Sequence, residues 1–155
     1  MGVFSGKPTS LAFDRAEEHK SLEGVHGRIY VWRLSPRIYA SQVEGYLDRN
    51  MAQLIIDIAE PLYGRGVVSG FHAWFGMTGY ATASRLDLTS WVKRHRSESR
   101  LFIGLQSRLV AMGVSVANLA LGNMIETFSS AAPLEAAFAA EMGKTARAAR
   151  PDTVS

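Results

Sequence analysis

Apolar residues along this chain fall into two rhythms: short β-branched and aromatic runs, and longer stretches with apolar positions three and four apart. Residues 28–34 (RIYVWRL) place Ile, Tyr, Val and Trp in a row and predict a strand. Residues 10–15 (SLAFDR) predict an earlier edge strand, with the charged, glycine-containing segment 17–27 as the loop joining the pair. Ser35 and Pro36 then read as a helix start. From there Val43, Leu47, Met51, Leu54, Ile55, Ile58 and Leu62 form one stripe, predicting a single amphipathic helix of about six or seven turns that Gly64 and Gly66 end.

The stretch 67–95 organises the remainder. Residues 67–74 are apolar on both alternating sets apart from His72, as in a central strand covered on both faces. Gly76 and Gly79 read as a turn, and Thr82 as the N-cap of a helix with Leu88, Trp91, Val92 and His95 inward and Arg85, Lys93, Arg94 and Arg96 outward. Residues 101–105 (LFIGL) predict a short buried strand. Ser107 caps a helix whose face of Leu109, Val110, Gly113, Val114, Val116, Ala117 and Ala120 is small enough to pack closely on a sheet. A last strand is expected at 124–128 (MIETF), and a last helix opened by Pro133, carrying Leu134, Ala137, Phe138 and Met142. The order β-β-α-β-α-β-α-β-α predicts one α/β domain over residues 9–143, with four helices and a sheet mostly parallel after an N-terminal strand pair. Residues 1–8 are expected to be a flexible start and 144–155 a flexible basic tail.

Composition narrows this modestly. A chain of 155 residues with 47% apolar and 20% charged residues fits one ordinary core. The formal charge of +3 is too small to suggest nucleic acid as a partner. Without cysteine there is neither a disulfide framework nor a thiolate metal site. The start has no secretory apolar core, and no apolar run approaches the ~20 residues of a membrane span. The expectation is a cytoplasmic protein with no integral membrane association.

Candidate chemistry is sparse. GVFSGK is one residue short of a phosphate loop, and the glycines of 64–70 run into a strand where a dinucleotide motif needs a helix. His19, His26, His72 and His95 lack ligand spacing, so neither a metal nor a cofactor is expected. His72, inside the central strand, reads either as a buried ring bonded to its neighbours or as a polar group on the floor of a pocket. No G-x-S-x-G elbow presents a serine, which argues against a hydrolase. Lys93, Arg94, Arg96 and Arg100 suit a helix C-terminus, or else an acidic partner or an anionic membrane surface. Alternation puts Trp74 and Phe75 on opposite faces unless the strand has ended. The stripe 43–62 exceeds what a small sheet needs, so part of it would serve a homodimer.

With FHAWFGMTGYATASRLDLTSW as strand, turn and helix, the element order resembles the STAS domain. It is most similar to the SpoIIAA-like branch of small bacterial STAS/SEC14-type proteins, over about residues 28–142. The resemblance implies a non-enzymatic regulatory or signalling module that contacts a protein partner through the strand-turn-helix around residues 76–84. Trp74, Phe75, Met77, Thr78, Tyr80, Thr82 and Arg85 would form that surface. In the switch proteins a phosphorylatable Ser follows an Asp in a pattern like D-S-[ST]-G. Here Ala81-Thr82-Ala83-Ser84 stands at that place, so Thr82 or Ser84 would carry the phosphate, without the Asp or the Gly. The similarity also leaves open a carrier that holds an apolar small molecule or lipid between helix and sheet.

Overall fold

A computed structural model describes residues 17–149, with side chains as far as Lys144. The elements are β1 (Glu18–Glu23), β2 (Gly27–Ser35), β3 (Ile38–Leu47), α1 (Arg49–Ala59), β4 (Val68–Tyr80), α2 (Thr82–Arg94), β5 (Ser99–Leu105), α3 (Arg108–Ala120), β6 (Ile125–Phe128) and α4 (Ala131–Ala149). They form an α/β domain on one six-stranded sheet whose spatial order follows the chain, β1 to β6. β1, β2 and β3 make an antiparallel meander, and β3 to β6 run parallel.

Each parallel step is crossed by a helix. Right-handed crossovers that always move in the same direction along a sheet put their helices on the same face. The core agrees: Met51, Ile55 and Ile58 of α1, Trp91 and Val92 of α2, and Val110 and Val114 of α3 pack with Tyr39, Val43, Val68, Trp74 and Ile103. On the opposite face Leu134 and Phe138 of α4 pack with Trp32, Ile38, Ala40, Phe71, Ala73 and Phe102.

Four expectations are corrected. The single helix begun at Pro36 is a strand followed by a helix. Pro36 and Arg37 make the two-residue turn between β2 and β3, where the Arg37 amide donates to Ser35 Oγ at 3.2 Å. Val43 and Leu47 are four apart, a spacing that shares a face in a strand as well as in a helix, so the stripe crossed the boundary unseen. The helix begins after Asp48, whose Oδ1 accepts from the Met51 amide at 2.9 Å. Second, the segment read as a loop between the first strands holds β1, paired with β2 from Glu18↔Arg33 to Glu23↔Arg28. The strand expected at 10–15 lies outside the described residues. Third, α4 continues past Gly143 to Ala149, where a tail was expected.

Fourth, the glycines of 76–79 are not a turn. β4 runs for 13 residues to Tyr80, pairing Glu44↔Gly76, Gly45↔Met77 and Tyr46↔Gly79, with register shifts between Gln42 and Glu44 and between Gly45 and Tyr46. The first shift returns Met77 to the face that Trp74 occupies three residues earlier, so both join the core under α1–α3. Phe75 packs on the α4 side, in the space left by the missing side chain of Gly104.

Candidate functional site

The parallel pairing of β3 with β4 sets Ser41 beside His72. Their side chains meet on the face covered by α1–α3, with Ser41 Oγ 2.6 Å from His72 Nδ1. Trp74, two residues on and on the same face, donates its indole Nε1–H to Ser41 Oγ at 3.0 Å. Burial alone holds the His72 ring far below its ordinary range, from 6.5 to about 3, so it is neutral at neutral pH. Its ring meets Tyr39 edge-on, with centroids 5.4 Å apart.

Tyr39, His72 and Trp74 line part of a cavity between the sheet and helices α2 and α3. The cavity has room of about 80 Å³ and is open to solvent. Roughly 10–15 Å³ of such room holds one water, so the space suits a molecule built on a single ring. Its wall is almost wholly apolar: Leu47, Ile55, Met77, Leu88, Trp91, Ile103, Val110, Val114 and Ile125 contribute. The inward face of α3 is built from Val110, Gly113, Val114 and Ala117. As the sequence suggests, these small residues let the helix approach the sheet: Tyr80 of β4 packs against Gly113, and the cavity lies beside that contact.

The residues expected to form a contact surface divide into three groups. Trp74, Met77, Tyr80 and Arg85 line the cavity, Trp74 and Met77 being buried and Tyr80 and Arg85 half-buried. Phe75 lies on the other face of the sheet. Thr78 and Thr82 are exposed. Thr82 is the first residue of α2, and the N-cap position falls on Ala81, which offers no side-chain cap. Ser84 is fully buried and donates to the Leu47 carbonyl at 3.2 Å, so in the folded chain its hydroxyl is closed to a modifying enzyme.

The pattern over 38–47 predicts helix, in which Ser41 faces no neighbouring strand, so Ser41 and Tyr39 do not stand out in the sequence. A hydrogen-bonded Ser–His pair is the start of a nucleophilic constellation. Here, however, the serine oxygen already accepts the Trp74 N–H, Ser41 is fully buried, and an imidazole held near 3 is a weak base at neutral pH. Tyr39 is also fully buried, and burial, followed by its neighbour Tyr63, pushes its phenol well above the ordinary value. Elsewhere the histidine at position 95 stacks on Tyr63 and meets Glu60 at 3.1 Å, while Arg96 Nε donates to the Leu121 carbonyl at the end of α3 at 2.7 Å.

Among the described residues no cluster of three or more His, Asp or Glu is placed to hold a metal ion. No helix among them is long and apolar enough to cross a membrane. Compared with family models, with curated proteins and with solved structures, the chain finds no significant match, which leaves the STAS resemblance resting on the pattern of its elements.

Proposed function

We propose that this protein is a binding module, not a catalyst, and that it holds an apolar small molecule between helices α2 and α3 and the sheet. The observation that carries this reading is the cavity: apolar, open at one side, and floored by a neutral, hydrogen-bonded histidine. Apolar walls with a few placed polar groups are the usual make-up of small-molecule sites. The half-buried Tyr80, Arg85, Leu88 and Thr89 supply the mouth, and Arg85 makes no ion pair among the described residues. Native mass spectrometry of the freshly purified chain tests carriage. An adduct that leaves on unfolding is expected, and a bare mass from several expression hosts would contradict a carried ligand.

A second reading, regulatory contact with another protein, is favoured by one specific feature. Leu109, Met112, Val116 and Leu119 of α3 are 55%, 66%, 52% and 73% exposed, and their three-four-three spacing makes one outward stripe. It adjoins the end of β4, where Leu109 comes close to Gly79. This stripe, not the buried one of α1, would serve a homodimer of the STAS-like module. Sedimentation velocity should then show a dimer that Val116→Glu splits; a wild-type monomer at micromolar concentration would remove this reading.

A further inference from the structure

We propose that His72 presents a single N–H to the cavity, and that the occupant is therefore an apolar molecule with one hydrogen-bond acceptor, a carbonyl or ether oxygen, at its buried end. This rests on the cavity's being a ligand site.

The inference follows from counting donors and acceptors. Ser41 Oγ already accepts the indole N–H of Trp74 at 3.0 Å. Ser41 is fully buried, and its one other polar neighbour is His72 Nδ1 at 2.6 Å. If Nδ1 carried the ring proton, two donors would point at the serine oxygen and the serine's own proton would have no acceptor. Buried polar groups are rarely left so. The consistent arrangement has Ser41 donating its O–H to Nδ1, which acts as acceptor. A neutral imidazole that accepts at Nδ1 carries its proton at Nε2.

That Nε2–H has no protein acceptor among the described residues, although His72 is 4% exposed and lines the cavity. The other deep donors are already engaged or face elsewhere. Trp74 Nε1 is held by Ser41, and Trp91 Nε1 donates to Glu60 Oε1 at 3.1 Å. The Tyr39 ring lines the cavity, but its hydroxyl, buried and without a hydrogen-bond partner among the described residues, lies against Gly70. Thr89 turns its hydroxyl back to the Arg85 carbonyl at 2.7 Å. Beside the half-buried Tyr80 hydroxyl, which lies against Gly113, the cavity thus offers its occupant one fully buried directed donor, supplied by a ring that its neighbours hold in a fixed tautomer. A hydrocarbon would leave this donor unpaired, and an acceptor-bearing ligand of the same shape would satisfy it.

Acetophenone and α-methylstyrene have nearly the same shape and differ in C=O against C=CH₂. In the full chain, labelled with ¹⁵N and ¹³C, long-range ¹H–¹⁵N correlation reads the His72 tautomer, and the methyl signals of Ile103 and Val114 report entry into the cavity. The expected result is an Nε2-protonated His72, methyl shifts with both compounds, and a His72 ring-nitrogen shift with acetophenone alone. In His72→Phe the ratio of the two affinities should move about tenfold in favour of α-methylstyrene. Methyl shifts without any change at His72, or a proton found on Nδ1, would overturn the inference while leaving the cavity a ligand site. Methyl signals that move with neither compound would overturn both.

Discussion

His72 is neutral in the folded chain down to about pH 3, whereas a histidine in the unfolded chain protonates near 6.5. Between those values the unfolded state binds the extra proton, so this group's contribution to stability is complete above about 6.5 and is lost as the pH falls. The slope approaches about 1.4 kcal/mol per pH unit inside that window. Urea denaturation from pH 7 to 4 should show wild type losing stability more steeply than His72→Phe, and parallel curves would contradict the burial of this ring. Two glycines give a contrasting pair. A Cβ on Gly70 would stand 2.4 Å from the fully buried Tyr39 ring, which could move only by giving up its edge contacts with His72 and Trp91. A Cβ on Gly113 would meet the hydroxyl end of half-buried Tyr80 at 2.3 Å, a group that can swing aside. Gly70→Ala should therefore cost about 1–3 kcal/mol by overpacking. Gly113→Ala, in a helix interior where alanine gains up to ~1 kcal/mol, should be near neutral or better. Equal losses by chemical denaturation would contradict the difference. At this scale the sequence marked His72 as unusual but could not name its partners, because Ser41 reaches it across 31 positions by strand register.

The elements were legible where the two periodicities disagree and illegible where they coincide. β5, α3 with its Ser107 cap, and β6 stand close to where their patterns put them. The Ser107 hydroxyl accepts from the Val110 amide at 3.4 Å. β3 was hidden because Val43, Leu47 and Met51 keep a spacing of four across a strand, a cap and a helix. Asp48 was the missed punctuation: its extended backbone and its bond to the Met51 amide stop the strand and start α1. Asp48→Ala should cost about 1 kcal/mol by loss of that cap. Thr82→Ala, at a position with no capping bond, should cost clearly less; a larger loss at Thr82 in thermal melts would return the cap to it. The glycines of β4 misled for a different reason, since in this strand they accommodate bulges beside β3 where a turn was expected.

At the scale of the molecule, alternation of strands and helices was enough to predict an α/β domain, and the sequential sheet places α1–α3 on one face and α4 on the other. The cavity was not predictable from the pattern, because its lining is drawn from β3, β4, β5 and β6 and from all three helices of that face, and no single segment records it. The resemblance to STAS proteins directed attention to 76–84 as a contact surface, yet Trp74 and Met77 from that neighbourhood turn inward to the same space. That change of direction is why ligand binding takes precedence over partner contact in our reading. Titration calorimetry with toluene, in wild type and in the cavity-filling Val114→Phe, tests it most directly. The account predicts saturable binding of one toluene per chain in wild type and none in Val114→Phe; no saturable heat in wild type, or equal binding in both, would contradict it.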